Sequence, residues 1–259
     1  MPGSISFWPW DASHKLFFLL FAVAAVAGAV NSVAGGGSFL TLPTLLYGGV
    51  PPVVANATST MAMLPGSVAS AIAYRRELQG RAGWLVPLGI VSLIGGFLGG
   101  VLLVRTSDTS FMRLLPWLML LAAVTFTFGD RVWRQLSLEH LHGNLLLVAA
   151  VQFVIAIYGG YFGGGMGIMM LASFTLGGML DIHEMNALKT FLGVAVNVLA
   201  LVAFIIKGVV AWGPGLVMVA GAVIGGYFGA VLARRIDPAW VRGFVAVSGW
   251  VMTVYFFIK

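Results

Sequence analysis

Long apolar stretches broken by brief polar or glycine-rich intervals run through this 259-residue chain, and they fall into two length classes. Leu16–Val33, Val53–Tyr74, Trp84–Val104 and Phe111–Phe128 in the first half are 18 to 22 residues long. Leu145–Tyr161, Met185–Ile206, Gly215–Ala233 and Val241–Phe257 in the second half are 17 to 22. A helix needs roughly 20 apolar residues to cross about 30 Å of hydrocarbon, so each of these can span a bilayer. Phe39–Tyr47 and Ile168–Leu176 have only nine residues apiece and cannot cross upright. The first is interrupted by Pro43 and closed by Gly48, Gly49 and the Pro51-Pro52 pair. The pattern predicts an all-α polytopic membrane protein of eight to ten helical segments, with two short broken or re-entrant arms.

Each short arm follows a glycine triplet. N-S-V-A-G-G-G-S-F-L-T-L-P (Asn31–Pro43) leads into the first, and Y-G-G-Y-F-G-G-G-M-G-I-M-M (Tyr158–Met170) into the second. Gly35, Gly36 and Gly37 therefore stand 128 residues before Gly163, Gly164 and Gly165. Beyond the arms the register becomes 130, with Asn56 on Asn186, Thr60 on Thr190, Ser67 on Asn197 and Gly95-Gly96 on Gly225-Gly226. A repeat of this length in an apolar chain is a signature of transporters built from two related halves. The chain divides into an N-terminal segment (1–15), a first transmembrane repeat (16–129), an inter-repeat loop (130–144) and a second repeat (145–259). About five segments per repeat is an odd number whether the arms cross or fold back, so the two repeats should be inverted.

Composition sharpens this picture. Hydrophobic residues make up 60% of the chain and charged residues 8%, against roughly 25% charged in soluble domains. The 35 glycines follow no collagen-like period and fit close helix packing. The absence of cysteine excludes disulfides, thiolate metal sites and cysteine nucleophiles. The net charge of +6 comes from Lys and Arg scattered between apolar spans, which form no nucleic-acid patch. They read instead as topology signals: eight fall inside and five outside when Arg75, Arg76 and Arg81 are placed in the cytoplasm, with Lys189 set aside as intramembrane. Both termini then face outward. The N-terminus lacks a basic region and cleavage site, and Trp8 and Trp10 read as interfacial anchors.

Asn186, Thr190 and Asn197, with Gly193 between them, share one helical face; Asn56, Thr60 and Ser67 repeat it with Met63 in the glycine's place. Such residues serve either as interhelical hydrogen bonds or as a cavity lining, and their duplication beside both glycine turns favours the lining. Lys189 is a basic residue well inside a predicted span, at a cost of about 2.5 to 3.5 kcal/mol if it sits at a helix centre. It either snorkels to the inner face or supplies positive charge to an anion held by glycine-turn N–H groups and helix N-termini. Acidic residues are missing from the depths of the spans, which favours an anionic substrate. The expected binding set is Asn31, Gly35, Gly36, Gly37, Ser38, Asn56, Thr60, Gly163, Gly164, Gly165, Asn186, Lys189 and Thr190.

Asp181, His183 and Glu184 open the helix that carries Lys189. D-I-H-E reads as a helix start stabilised by acidic residues, or as a proton-coupling pair in His183 and Glu184, histidine being the side chain that changes charge near neutral pH. His140 and His142 read as loop histidines, and no third metal ligand accompanies them. No catalytic residue or cofactor is expected: the triplets lack a P-loop lysine, and no histidine or aspartate at membrane depth could activate Ser38 or Ser67.

The glycine motifs, G-V-P-P-V-V-A-N-A-T-S-T and the second-half M-N-A-L-K-T together resemble the TauE/SafE family of sulfite and sulfonate exporters, also called the toluene sulfonate uptake permease family. The likeness extends from about Leu16 to Phe257. It implies an inner-membrane secondary transporter of small anions, often sulfur-containing and sometimes carboxylates, coupled to the proton gradient. An anion channel or a carboxylate transporter on the same scaffold is the alternative. Partners are then a small anion, protons and membrane lipid; nothing in the sequence specifies an oligomer. Alternating access is expected from rocking one repeat against the other.

Overall fold

A computed structural model describes residues 14–33, 36–78, 82–135, 144–179, 181–232 and 238–258, and all regular structure among them is helical. Ten α-helices appear among the described residues. The first half holds α1 (His14–Val33), α2 (Ser38–Tyr47), α3 (Pro52–Ala73), α4 (Ala82–Arg105) and α5 (Asp108–Gln135). The second holds α6 (Leu145–Tyr161), α7 (Met166–Leu176), α8 (Ile182–Ile206), α9 (Trp212–Leu232) and α10 (Pro238–Ile258). Every apolar run marked in the sequence is present as a helix, which gives the upper figure of the eight to ten segments expected. α5 runs on to Gln135, taking up the first residues of the stretch read as inter-repeat loop. Gly35, Arg81, His140, His142, Arg234, Arg235 and the two N-terminal tryptophans lie outside the described residues.

Both short arms stop in the same way. Gly49 (φ 82°) and Gly178 (φ 84°) take the left-handed conformation that ends a helix. Val50 N then bonds Leu45 O at 3.1 Å, and Met179 N bonds Phe174 O at 3.1 Å. Pro52 at the first position of α3 restarts the chain as a helix immediately after the first arm.

Five helices, α1, α4, α5, α8 and α9, are long and apolar enough to cross a membrane. α3 has the length but is diluted by Asn56, Thr58, Ser59, Thr60, Ser67 and Ser70. That polarity belongs inside the bundle, since unpaired polar groups are costly in hydrocarbon.

The helix pairings interleave the two halves. α1 packs on α9, and α4 on α6; α3 and α8 meet each other and lie against α9 and α4 respectively. Exchanging α1–α5 for α6–α10 reproduces this set of neighbours, including α2 with α10, α7 with α5, and α5 with α10. The principal contacts are backbone to backbone. A Cβ on Gly225 would run into the carbonyl of Ala25, and one on Gly28 into that of Ala222. On the other side Gly99 meets the carbonyl of Ile157, and Gly160 that of Gly96. Gly95–Gly100 (G-G-F-L-G-G) and Gly225–Gly229 (G-G-Y-F-G) are thus small-residue packing surfaces, and each serves the opposite half.

Polar ties add to this packing. Gln152 on α6 is buried and donates to Ser92 on α4 at 2.8 Å. The N-terminal part of α3 is fastened twice: Val53 N donates to Asp108 Oδ1 at 2.9 Å, and Thr58 Oγ1 accepts from Ala211 N at 3.0 Å.

Candidate functional site

Between α3 and α8 lies a cavity of about 170 Å³. On α3 it is lined by Thr60, Met63, Ser67 and Ser70, followed by Tyr74 in the short 3-10 turn after the helix, at helical intervals of three and four residues. On α8 the lining is Asn186, Lys189, Thr190, Gly193 and Asn197. The glycine turns close its sides with Gly36 and Ser38 from one and Gly163, Gly165, Met166, Gly167 and Ile168 from the other; Asn31 at the end of α1 and Phe126 of α5 complete it. The cavity runs toward the face where the 3-10 turn Tyr74–Arg76 meets α8, beside exposed Arg75, Arg76, Asp181 and His183. Away from that mouth, Val53 and Ala55 through Ser59 are buried.

The short helices start at the cavity wall, so their N–H ends point partial positive charge at it. Gly36 (φ 88°), Gly163 (φ 84°) and Gly165 (φ 77°) shape the turns. A side chain at Gly36 would also meet Val245 Cγ1 at 2.6 Å and Phe126 Cζ at 2.9 Å. The second turn is pinned by Tyr158, whose hydroxyl donates to Gly164 O at 2.6 Å.

Lys189 is half-buried in the lining, and its Nζ donates to Asn186 Oδ1 at 2.9 Å. Lysine can only donate, so this bond fixes the amide orientation of Asn186 and leaves its Nδ2 as a further donor. The stem of Lys189 lies across Gly167, where a Cβ would come within 3.3 Å of Lys189 Cδ. The hydroxyls of Thr60 and Thr190 donate to Asn56 O at 3.1 Å and Asn186 O at 2.7 Å, one turn back in each helix. No carboxylate belongs to the described lining.

Of the expected binding set, nine residues meet at this one cavity: Asn31, Gly36, Ser38, Thr60, Gly163, Gly165, Asn186, Lys189 and Thr190. Gly37 and Gly164 belong to the turns without lining it. Gly37 packs instead on α1, where a Cβ would stand 2.7 Å from Ala27 O. Asn56 does not line the cavity either. It shares the angular face of Thr60 but lies one turn deeper, under the end of α6, and its Nδ2 donates to Tyr161 O at 2.9 Å. His183 and Glu184 sit at the start of α8 outside the lining, where Asp181 Oδ1 accepts from their main-chain N–H groups at 2.8 and 3.4 Å. Ser70 and Tyr74 continue the α3 stripe beyond Ser67, and the spacing alone would have found them. Tyr158 has Val30 as its repeat equivalent, so the repeat gives no sign of its role.

The family model described as Sulfite exporter TauE/SafE matches residues 20–256. The chain belongs to the TauE/SafE family. Full-length relatives agree with this. The TauE/SafE chain is 30% identical over 250 residues to a "Probable membrane transporter protein" of Haemophilus influenzae, covering 94% of this chain and 95% of that one. It is 31% identical over 225 residues to "Probable membrane transporter protein ORF9" of a Sinorhizobium species, covering 85% and 84%. Against "Probable membrane transporter protein YfcA" of Escherichia coli K12 the identity is 29% over 244 residues, covering 93% and 89%. No solved structure matches it at a significant level. This TauE/SafE protein is an integral, multi-pass membrane transporter, and the cavity between α3 and α8 is its candidate site.

Proposed function

We propose that the protein is a secondary active transporter of small anions of the organosulfur type (sulfite, sulfonate, thiosulfate or sulfoacetate), coupled to protons and working by alternating access in the inner membrane. One observation carries the reading: the starts of α2 and α7 converge with Lys189 on a polar cavity whose described lining holds no carboxylate. Two positive helix ends and an ammonium favour an anion and disfavour a cation. The volume, about 170 Å³, suits an anion of a few heavy atoms.

In this reading Asn31, Ser38, Thr60, Asn186, Lys189 and Thr190 supply polar contacts, while Gly36, Gly37, Gly163, Gly164 and Gly165 shape the two turns. His183 and Glu184, beside the mouth, are the groups that take up the coupling proton. The exchange symmetry of the helix pairs, the odd segment number and the arginine bias support inverted repeats with both termini outside. Because α1 is locked to α9 and α4 to α6, the bodies that move are composite: α1, α3 and α9 against α4, α6 and α8, in place of one sequence repeat against the other.

An anion channel would need a continuous path, and burial from Ala55 to Ser59 beyond the cavity counts against it. The deciding experiment is a binding screen on the purified protein, by calorimetry or thermal shift, with sulfite, thiosulfate, short sulfonates and short carboxylates. Saturable binding of a sulfur oxyanion supports the proposal. Binding of carboxylates alone moves the substrate class, and binding of none removes the anion site.

A further inference from the structure

Residues equivalent by sequence do different things in the two halves. Asn56 of α3 is 2% exposed, and its Nδ2 reaches the main-chain oxygen of Tyr161, the last residue of α6. The registers of 130 and 128 make Asn186 of α8 and Val33, the last residue of α1, the equivalent pair. Asn186 makes no such bond; it lines the cavity and accepts from Lys189. Ser59 is likewise buried and shares a 2.6 Å hydrogen bond with Thr41, whereas its equivalent, Lys189, stands in the cavity wall. The turns differ too: Gly37 has φ −54° and its equivalent Gly165 has φ 77°. Of one continuous stripe, α3 shows the part from Thr60 toward its C-terminal end and α8 the part from Asn186 to Asn197.

From this asymmetry we infer that Asn56–Tyr161 and Asn186–Val33 are alternative latches on the transport cycle. The first holds the sealed face shut in this conformation; the second shuts the mouth in the conformation of opposite access, where Asn56 joins the cavity. The carbonyls concerned suit the task, because the last turn of a helix leaves its C=O groups without intrahelical partners. Water cannot satisfy them in a closed membrane bundle, and an asparagine amide can. The Asn56 latch also joins the right bodies, since α3 packs on α9 and α6 on α4. The exchange has a consequence for the ligand. Thr60 and Thr190, and Ser67 and Asn197, are equivalent pairs that all line the cavity, so they serve the anion from both sides.

This inference rests on the alternating-access reading, and cysteine labelling separates the two. The chain has no cysteine of its own. In the purified full-length protein, Ser70→Cys should react with a small thiol reagent and Ser59→Cys should be protected. Adding Asn56→Ala should raise the Ser59→Cys rate roughly three- to twentyfold, the factor that one intramembrane hydrogen bond represents, and slow Ser70→Cys. Adding Asn186→Ala should lower any residual Ser59→Cys rate, and a rise there would overturn the reciprocal half. Should Asn56→Ala not give a monodisperse protein, Asn56→Gln moves the amide out of register and carries the same expectation. Unchanged protection of Ser59→Cys in either folded Asn56 variant overturns the latch and leaves the transporter reading standing. Rapid labelling of both Ser59→Cys and Ser70→Cys without further change marks a continuous pore and overturns both.

Discussion

Replacing Lys189 by methionine separates its charge from its packing. The aliphatic stem lies across Gly167, and methionine keeps most of that contact, so the unliganded protein should remain folded. What is lost is the ammonium, which donates to Asn186 Oδ1 at 2.9 Å and stands in the cavity wall. An anion at about 4 Å would gain roughly 1 kcal/mol from this charge in a water-like medium and about 4 kcal/mol at an effective dielectric constant of 20. Lys189 is half-buried in a polar cavity, which places it between these limits, in the range of about 1.5 to 3 kcal/mol found for hydrogen bonds to charged groups. Lys189→Met should therefore raise the Kd for a bound sulfur oxyanion by roughly 10- to 150-fold. Lys189→Arg keeps the charge but brings a larger planar head and should lose less. The assay is calorimetric titration with sulfite and thiosulfate, alongside the unfolding temperature without ligand. An unchanged Kd in a Met variant of normal stability would refute the role given to Lys189.

Three further outcomes follow from the structure. Gly225→Val should destabilise the bundle by more than about 1 kcal/mol, because the added carbons meet the Ala25 backbone; Gly83→Ala, with open space around its Cβ, should leave the unfolding temperature unchanged. Glu77 and Lys207 are repeat equivalents and both exposed, so in intact cells Glu77→Cys should be shielded from an impermeant thiol reagent and Lys207→Cys labelled; equal labelling would remove the inverted topology. Asp181→Ala should cost about 0.5 to 2 kcal/mol of stability as a lost N-cap while keeping the pH response of transport, and His183→Gln should abolish that response; a retained response would take the proton from His183.

The segments were legible because apolar run length and glycine-proline punctuation are local properties. Leu145–Tyr161 agrees to the residue, and α2 and α7 begin only one or two residues earlier than read. The Thr60–Ser67 and Asn186–Asn197 stripes were also legible, since spacing fixes a helical face. Depth was not: Asn56 and Thr60 share a face, and only the end of α6 above Asn56 decides which of them meets the cavity. Partner choice was equally hidden. G-G-F-L-G-G announces a close-packing surface, but nothing in those six residues says that α6 lies on it. The 130-residue register showed which positions correspond; it could not show that corresponding positions are differently engaged, because that depends on what the fold packs against each.

The interleaving of α1 with α9 also sets an order of assembly. α6 emerges after α4 and finds its partner already made, whereas α1 must wait until residues 212–232 have been synthesised. Its small-residue face, at Ala25, Gly28 and Ala29, has no permanent cover through most of translation. α1, made well before α9, is thus among the last of these helices to be locked in place, and the first half alone should not finish folding. A separately expressed fragment ending before α6 should stay loosely packed and sensitive to protease until the second half is supplied.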